Sequence, residues 1–169
     1  MTDLPVVRRP LEFLEGHHDR QLLICAALEH LAEVAGADDA GETARMVLDY
    51  FEREMPFHIA DEEDDLFPLM MQRCHEDDGF EETVAMLEAE HESDRELHDR
   101  LVPSLRVLAG GHLIENHAVF ARDAVSFSTL QRRHLAWENG AVLPLARQRL
   151  SEDDLVTMAE AMTRRRKGR

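Results

Sequence analysis

The sequence predicts an all-α protein, an up-down-up-down four-helix bundle with a short fifth helix at its C-terminal end. Three observations predict it. Strand signals are nearly absent, with few aromatic residues and no Asn-Gly or Asp-Gly turn between alternating runs. Apolar residues recur at helical spacing in four long stretches. Short breaks separate these stretches, and short connections make antiparallel neighbours.

The first helix is expected over about 10–35. Pro10 suits a first turn, Leu11, Leu14, His18, Leu22, Cys25 and Leu28 share a spacing, and "GADDAG" breaks the pattern. A second helix, about 42–73, contains Pro56 and Pro68, so a bend or irregular turn is expected at one of them before "CHEDDG" closes it. The third, about 80–108, carries Val84, Leu87, His91, His98, Leu101 and Leu105 on one stripe and ends at "AGG", with Pro103 expected to disturb its last turns. The fourth covers about 113–150 and again holds a late proline, Pro144. A fifth begins at Ser151, whose hydroxyl can cap it while Asp154 takes the capping-box position, and Leu155, Met158 and Met162 form its apolar edge. One domain is expected over 1–169, with the bundle at about 10–150, the fifth helix at about 151–165 and a solvated basic tail, "RRRKGR", at 164–169.

A chain of 169 residues with 44% hydrophobic content can bury a core of ordinary size. Its 19 basic and 35 acidic residues give a net charge of −16, a surface that repels a nucleic-acid backbone. No apolar run approaches the length of a membrane span and no leader precedes the first helix, so a soluble cytoplasmic protein is expected, with neither nucleic acid nor membrane as partner. The 2 cysteines, Cys25 and Cys74, form no CxxC pair, which argues against a thiolate zinc site, and Cys25 reads as a small core residue.

The chemistry lies in a repeat. "HIADEEDDLFP", starting at His58, and "HLAWENGAVLP", starting at His134, share one skeleton: His, three residues, Glu, three residues, two apolar residues, Pro. Positions four apart face the same way on a helix, so His58 pairs with Glu62 and His134 with Glu138. Upstream, "GHHDRQL" resembles "EHESDREL", which adds a single histidine to each half: His18, favoured over its neighbour His17 by the spacing from Leu11 and to Cys25, and His91. Two helical hairpins would then bring four imidazoles and two carboxylates into one core. An ionised carboxylate alone in such a core costs several kcal/mol, and a pair of cations bridged by the two glutamates removes that cost. Nitrogen and oxygen donors of this kind suit iron or manganese, with zinc as an alternative, and affinity should fall in acid because the ligands must be deprotonated.

These residues resemble those of the hemerythrin-like HHE cation-binding family: "HIADEEDDLFP" closely matches its second-helix motif, His-x3-Glu-Glu-x2-Leu-Phe-Pro. The likeness extends over about 10–150. It implies a four-helix bundle holding two iron ions in a non-haem di-iron centre, with an oxo or hydroxo bridge, and iron ligands at His18, His58, Glu62, His91, His134 and Glu138. The bridging role falls to Glu62 and Glu138. The oxygen-carrying members have a second third-helix histidine where this chain has Arg95, and a His-x4-Asp pair where this chain has His134 and Glu138. Those departures argue against plain oxygen carriage.

Two functions fit such a site. One is a protein that binds or senses iron, oxygen, nitric oxide or oxidants. The other is a di-iron oxidoreductase that activates oxygen or peroxide or handles iron as a ferroxidase does. Two glutamates offset little of the charge on two ferric ions, so further anions must enter, which favours reversible binding; no catalytic motif beyond the site is present. Among other residues, Glu63, Asp61, Asp64 and Asp65 read as mostly solvated, with Glu63 alternatively placed behind the ligands. Glu90 is expected to hydrogen-bond across the bundle and Trp137 to wedge between helices. His30, His75, His112 and His117 receive no role.

Overall fold

The computed structural model describes residues 6–34 and 40–168, and every regular element among them is helical. Part of the "GADDAG" break and the terminal Arg169 lie outside the described residues. The first rod is α1, Pro10–Val34. The second is composite: α2, Ala40–Asp49, α3, Met55–Ala60, and α4, Phe67–Arg73, joined by π-helical turns at Tyr50–Glu54 and Asp61–Leu66. A short 3-10 turn, Glu76–Asp78, leads to Gly79, whose φ of 61° is open to glycine at little cost, and then to α5, Phe80–Ala109. The fourth rod joins α6, His117–Trp137, to α7, Leu143–Arg149, through a third π-helical turn at Glu138–Val142. The last element is α8, Glu152–Lys167. No helix among the described residues is long and apolar enough to cross a membrane.

The prolines explain the composite rods. Each of Pro56, Pro68 and Pro144 lies in the first turn of an α segment that directly follows a π-helical turn. A proline ring clashes with the carbonyl four residues back and offers no N–H to it; one extra residue in the preceding turn relieves both. An irregular turn was expected at one of Pro56 and Pro68, and both have one. Pro103 behaves differently: α5 continues unbroken through it. Pro103 and Asp99 lie on the solvent-facing side, where water can satisfy the carbonyl that loses its partner. The fourth rod starts at His117 rather than near residue 113, because the side chain of Asn116 accepts a hydrogen bond from the Val119 N–H at 3.2 Å and caps it. Ser151 and Asp154 form the expected capping box at the start of α8.

α1 packs against α6 and α2, and α5 against α2 and α6. Two apolar clusters result. One includes Ile24, Leu28, Phe51, Leu101, Leu105 and Phe127; the other includes Leu14, Phe67, Leu87, Leu143, Met158 and Met162. On α1, His18 lies between Leu14 of one cluster and Ile24 of the other, and on α5 His91 lies between Leu87 and Leu101 in the same way. The polar residues therefore form a layer sandwiched between two dry regions.

The basic end of α8 is not a solvated tail. α8 extends through Lys167, and Arg166 is buried with its Nη2 2.5 Å from Oδ2 of Asp61 and its Nη1 3.0 Å from Oδ1. Its guanidinium also stacks over the rings of Phe13 and Phe57, 4.7 and 5.3 Å from their centroids. Arg165 binds Asp61 and Asp65 at 2.5 and 2.8 Å. Asp61 is thus fully buried rather than exposed, Asp65 is half-buried, and Asp64 alone of the three is exposed. Two arginines arriving from another helix make that burial tolerable.

Candidate metal centre

All six candidate residues, His18, His58, Glu62, His91, His134 and Glu138, are buried to within 2% of full exclusion from solvent. Local geometry supplies the pairs: His58 Nε2 lies 3.2 Å from Glu62 Oε1, and His134 Nε2 lies 3.1 Å from Glu138 Oε1, each one helical turn apart. Packing supplies the rest. His18 Nε2, from α1, reaches Glu138 Oε2 at 3.2 Å and Glu62 Oε1 at 3.5 Å; His91 Nε2, from α5, reaches Glu62 Oε2 at 3.2 Å. The six fall into two overlapping groups of four: His18, His58, Glu62 and Glu138, and Glu62, His91, His134 and Glu138, each with ligand atoms mutually within 4.8 Å. Glu62 and Glu138 belong to both. Each sits in a π-helical turn, so the extra residue that accommodates the proline also sets the direction of a carboxylate.

These approaches are not ordinary hydrogen bonds. Glu62 Oε2, both Glu138 oxygens, and Nε2 of His18 and His58 are buried with no hydrogen-bond partner. Such orphaned groups are rare in folded proteins because each forfeits its hydration. Their electrostatics point the same way. Burial opposes the charge of Glu62, but His58, His18 and His91 outweigh it and hold that carboxyl well below its usual range. Burial and the neighbouring charge of Glu62 push Glu138 up. Burial drives His58 down to about 3, whereas at His134 it is overcome by Glu138, Glu62 and Glu90, which raise the imidazole to about 10. Two carboxylates and four imidazoles thus share one enclosed volume. Nitrogen and oxygen donors without a thiolate fit a metal of hard or intermediate character, so the residues present suit a pair of cations.

Behind the cluster stands a ring of contacts that the sequence disclosed only in part. Glu63, expected mainly as a solvated carboxylate, places Oε1 2.8 Å from His91 Nδ1 and Oε2 2.7 Å from Arg95 Nη2. Arg95 therefore stays outside the cluster. Glu90 places Oε2 3.0 Å from His134 Nδ1, the expected cross-bundle bond, and takes Arg133 on its other oxygen. Asn139 presents its amide oxygen to His18 Nδ1 at 2.6 Å. The adjacent His17 does not join the cluster; its ring stacks on that of His58 at 5.7 Å. His98 lies away from it as well, against Phe51. Trp137 does not wedge between helices; it is 45% exposed, because the turn that points Glu138 inward points its neighbour out. Cys25 is buried, as a core residue should be.

A family model described as hemerythrin HHE cation binding domain matches residues 9–146. No curated protein matches the chain. The matched segment holds all six candidate ligands and stops short of α8.

Proposed function

The chain belongs to the hemerythrin HHE cation-binding domain family, and from that premise we propose that it is a non-haem di-iron protein that binds or senses oxygen, nitric oxide or an oxidant. In this reading the rods run up-down-up-down with α8 laid against them. His18 and His58 would hold one iron and His91 and His134 the other, with Glu62 and Glu138, common to both groups, shared between them. The observation that carries the reading is the sharing of Glu62 and Glu138 by two buried four-residue groups, with Glu62 Oε2, both Glu138 oxygens and Nε2 of His18 and His58 lacking hydrogen-bond partners.

Bound there, an iron pair supplies redox capacity and open coordination positions for a small ligand. The chain supplies the rest. Glu63, Glu90 and Asn139 accept the Nδ1 protons of His91, His134 and His18 and so turn each Nε2 toward the centre. The two apolar clusters exclude water from both sides of the layer. Two carboxylates cannot neutralise two ferric ions, which leaves the centre attractive to small anions and polarisable diatomics.

The oxidoreductase alternative has one observation in its favour. A cavity of about 270 Å3 opens between the second rod and α5, lined by Phe51, Met55, Ile59, Glu63, Arg95 and His98. It adjoins Glu63, the residue that holds His91, and its volume approaches that of small-ligand sites. Manganese or zinc in place of iron would favour neither oxygen-binding reading.

The test is metal analysis with absorption spectroscopy on protein loaded anaerobically with ferrous iron and then exposed to air. Two irons per chain with new near-ultraviolet charge-transfer bands are expected. Bands that vanish on removing oxygen identify a reversible binder; sustained oxygen consumption with an added organic substrate identifies an oxidoreductase. Absence of bound metal, with thermal stability unchanged by chelator, would refute both.

A further inference from the structure

The two metal positions have the same donors toward the centre but different groups behind their imidazoles. Behind His91 and His134 stand carboxylates, Glu63 and Glu90, at 2.8 and 3.0 Å. Behind His18 stands only the neutral amide of Asn139, and His58 Nδ1 has no hydrogen-bond partner at all, with the ring of His17 stacked beside its own. The difference arises inside a pseudo-repeat. Glu63 and Asn139 each follow a bridging glutamate, and Glu90 and His17 each precede a single histidine, so the positions correspond while their charges do not.

A carboxylate that accepts the Nδ1 proton makes the imidazole a better electron donor through Nε2, and loss of such a partner typically weakens metal binding about 10- to 100-fold. Arg95 and Arg133 neutralise part of the effect by holding the far oxygens of Glu63 and Glu90. They are 41% and 63% exposed, whereas the carboxylates they hold are 26% and 9% exposed, so water screens the arginines more than the carboxylates. We propose that the two positions are unequal: the His91–His134 position binds metal tightly and fills first, and the His18–His58 position is the weaker, exchangeable one. This rests on the two-metal reading above.

Titration of the metal-free protein with zinc against a chromophoric chelator tests it, together with anomalous diffraction at the zinc edge from crystals grown with one equivalent. Two steps separated by at least about tenfold are expected, with the first zinc beside His91 and His134. Two equal steps, or the first zinc beside His18 and His58, would overturn the proposal while leaving the two-metal reading intact. The absence of any step refutes that reading and this inference with it. The Asn139→Asp substitution adds a carboxylate at unchanged size and should tighten the second step about tenfold, narrowing the gap; Glu63→Gln should weaken the first step by a similar factor and leave the second. Folded variants with both steps unmoved would show that these outer groups do not set the order.

Discussion

The turns Asp61–Leu66 and Glu138–Val142 perform the same task with different surroundings. Each is π-helical, each precedes a proline, and each sends a glutamate to the centre. Around Glu62 the neighbours are gripped: Asp61 by Arg165 and Arg166, Glu63 by His91 and Arg95. Around Glu138 they are lightly held, with Trp137 exposed and Asn139 making one bond to His18. Donor geometry can therefore be repeated while charge and anchoring are not.

The largest expected effect tests what the turns share. Glu62→Gln and Glu138→Gln should each lower the metal content of the loaded protein, seen by elemental analysis; if only one of them did so, the equivalence of the two glutamates would fail. Anchoring comes next. Arg166→Met leaves Asp61 buried with half its counter-charge and should cost about 3 kcal/mol of stability in denaturant unfolding, and adding Asp61→Asn should recover much of it.

Protonation separates the halves in the metal-free protein. His58, driven down to about 3 by burial, stays neutral in the fold where the unfolded chain takes up a proton. Its contribution to stability is therefore lost as pH falls from about 6.5 toward 3. His134, held up at about 10 by its carboxylates against burial, contributes stability below about 6.5 that is lost as pH rises toward 10. Ring signals followed by NMR should show His58 unprotonated at pH 5 and His134 protonated at pH 8. The smallest effect belongs to the unanchored neighbour: Trp137→Ala should change stability by less than about 0.5 kcal/mol, against the much larger cost at Arg166.

The helices and the six inward residues were readable from the sequence because they rest on local rules. His58 with Glu62 and His134 with Glu138 share a face through a single helical turn, and the repetition of the pattern marks them. Glu63 was not readable as a partner of His91. On a regular helix it turns away from Glu62 toward solvent, and its contact depends on the wide turn and on how closely α5 approaches. Asp61 was hidden in an acidic run, and its partners come from a helix that periodicity alone cannot dock. The complementary sign of "DEEDD" and "RRRK" was the one available signal. Pro103 shows the opposite error: a strong local rule gave way because the affected carbonyl faces water.

The grip of α8 on Asp61 sets an order of events during synthesis. Arg165 and Arg166 are made 104 and 105 residues after Asp61, which at ribosomal rates is a delay of roughly 5 to 20 seconds. Only in the last part of that interval, after Glu138 and before Arg165, does the nascent chain contain all six inward residues while lacking the two arginines. Closure of the acidic turn is therefore one of the last steps of assembly, and a ribosome stalled within α8 would display all six inward residues in a fold not yet locked.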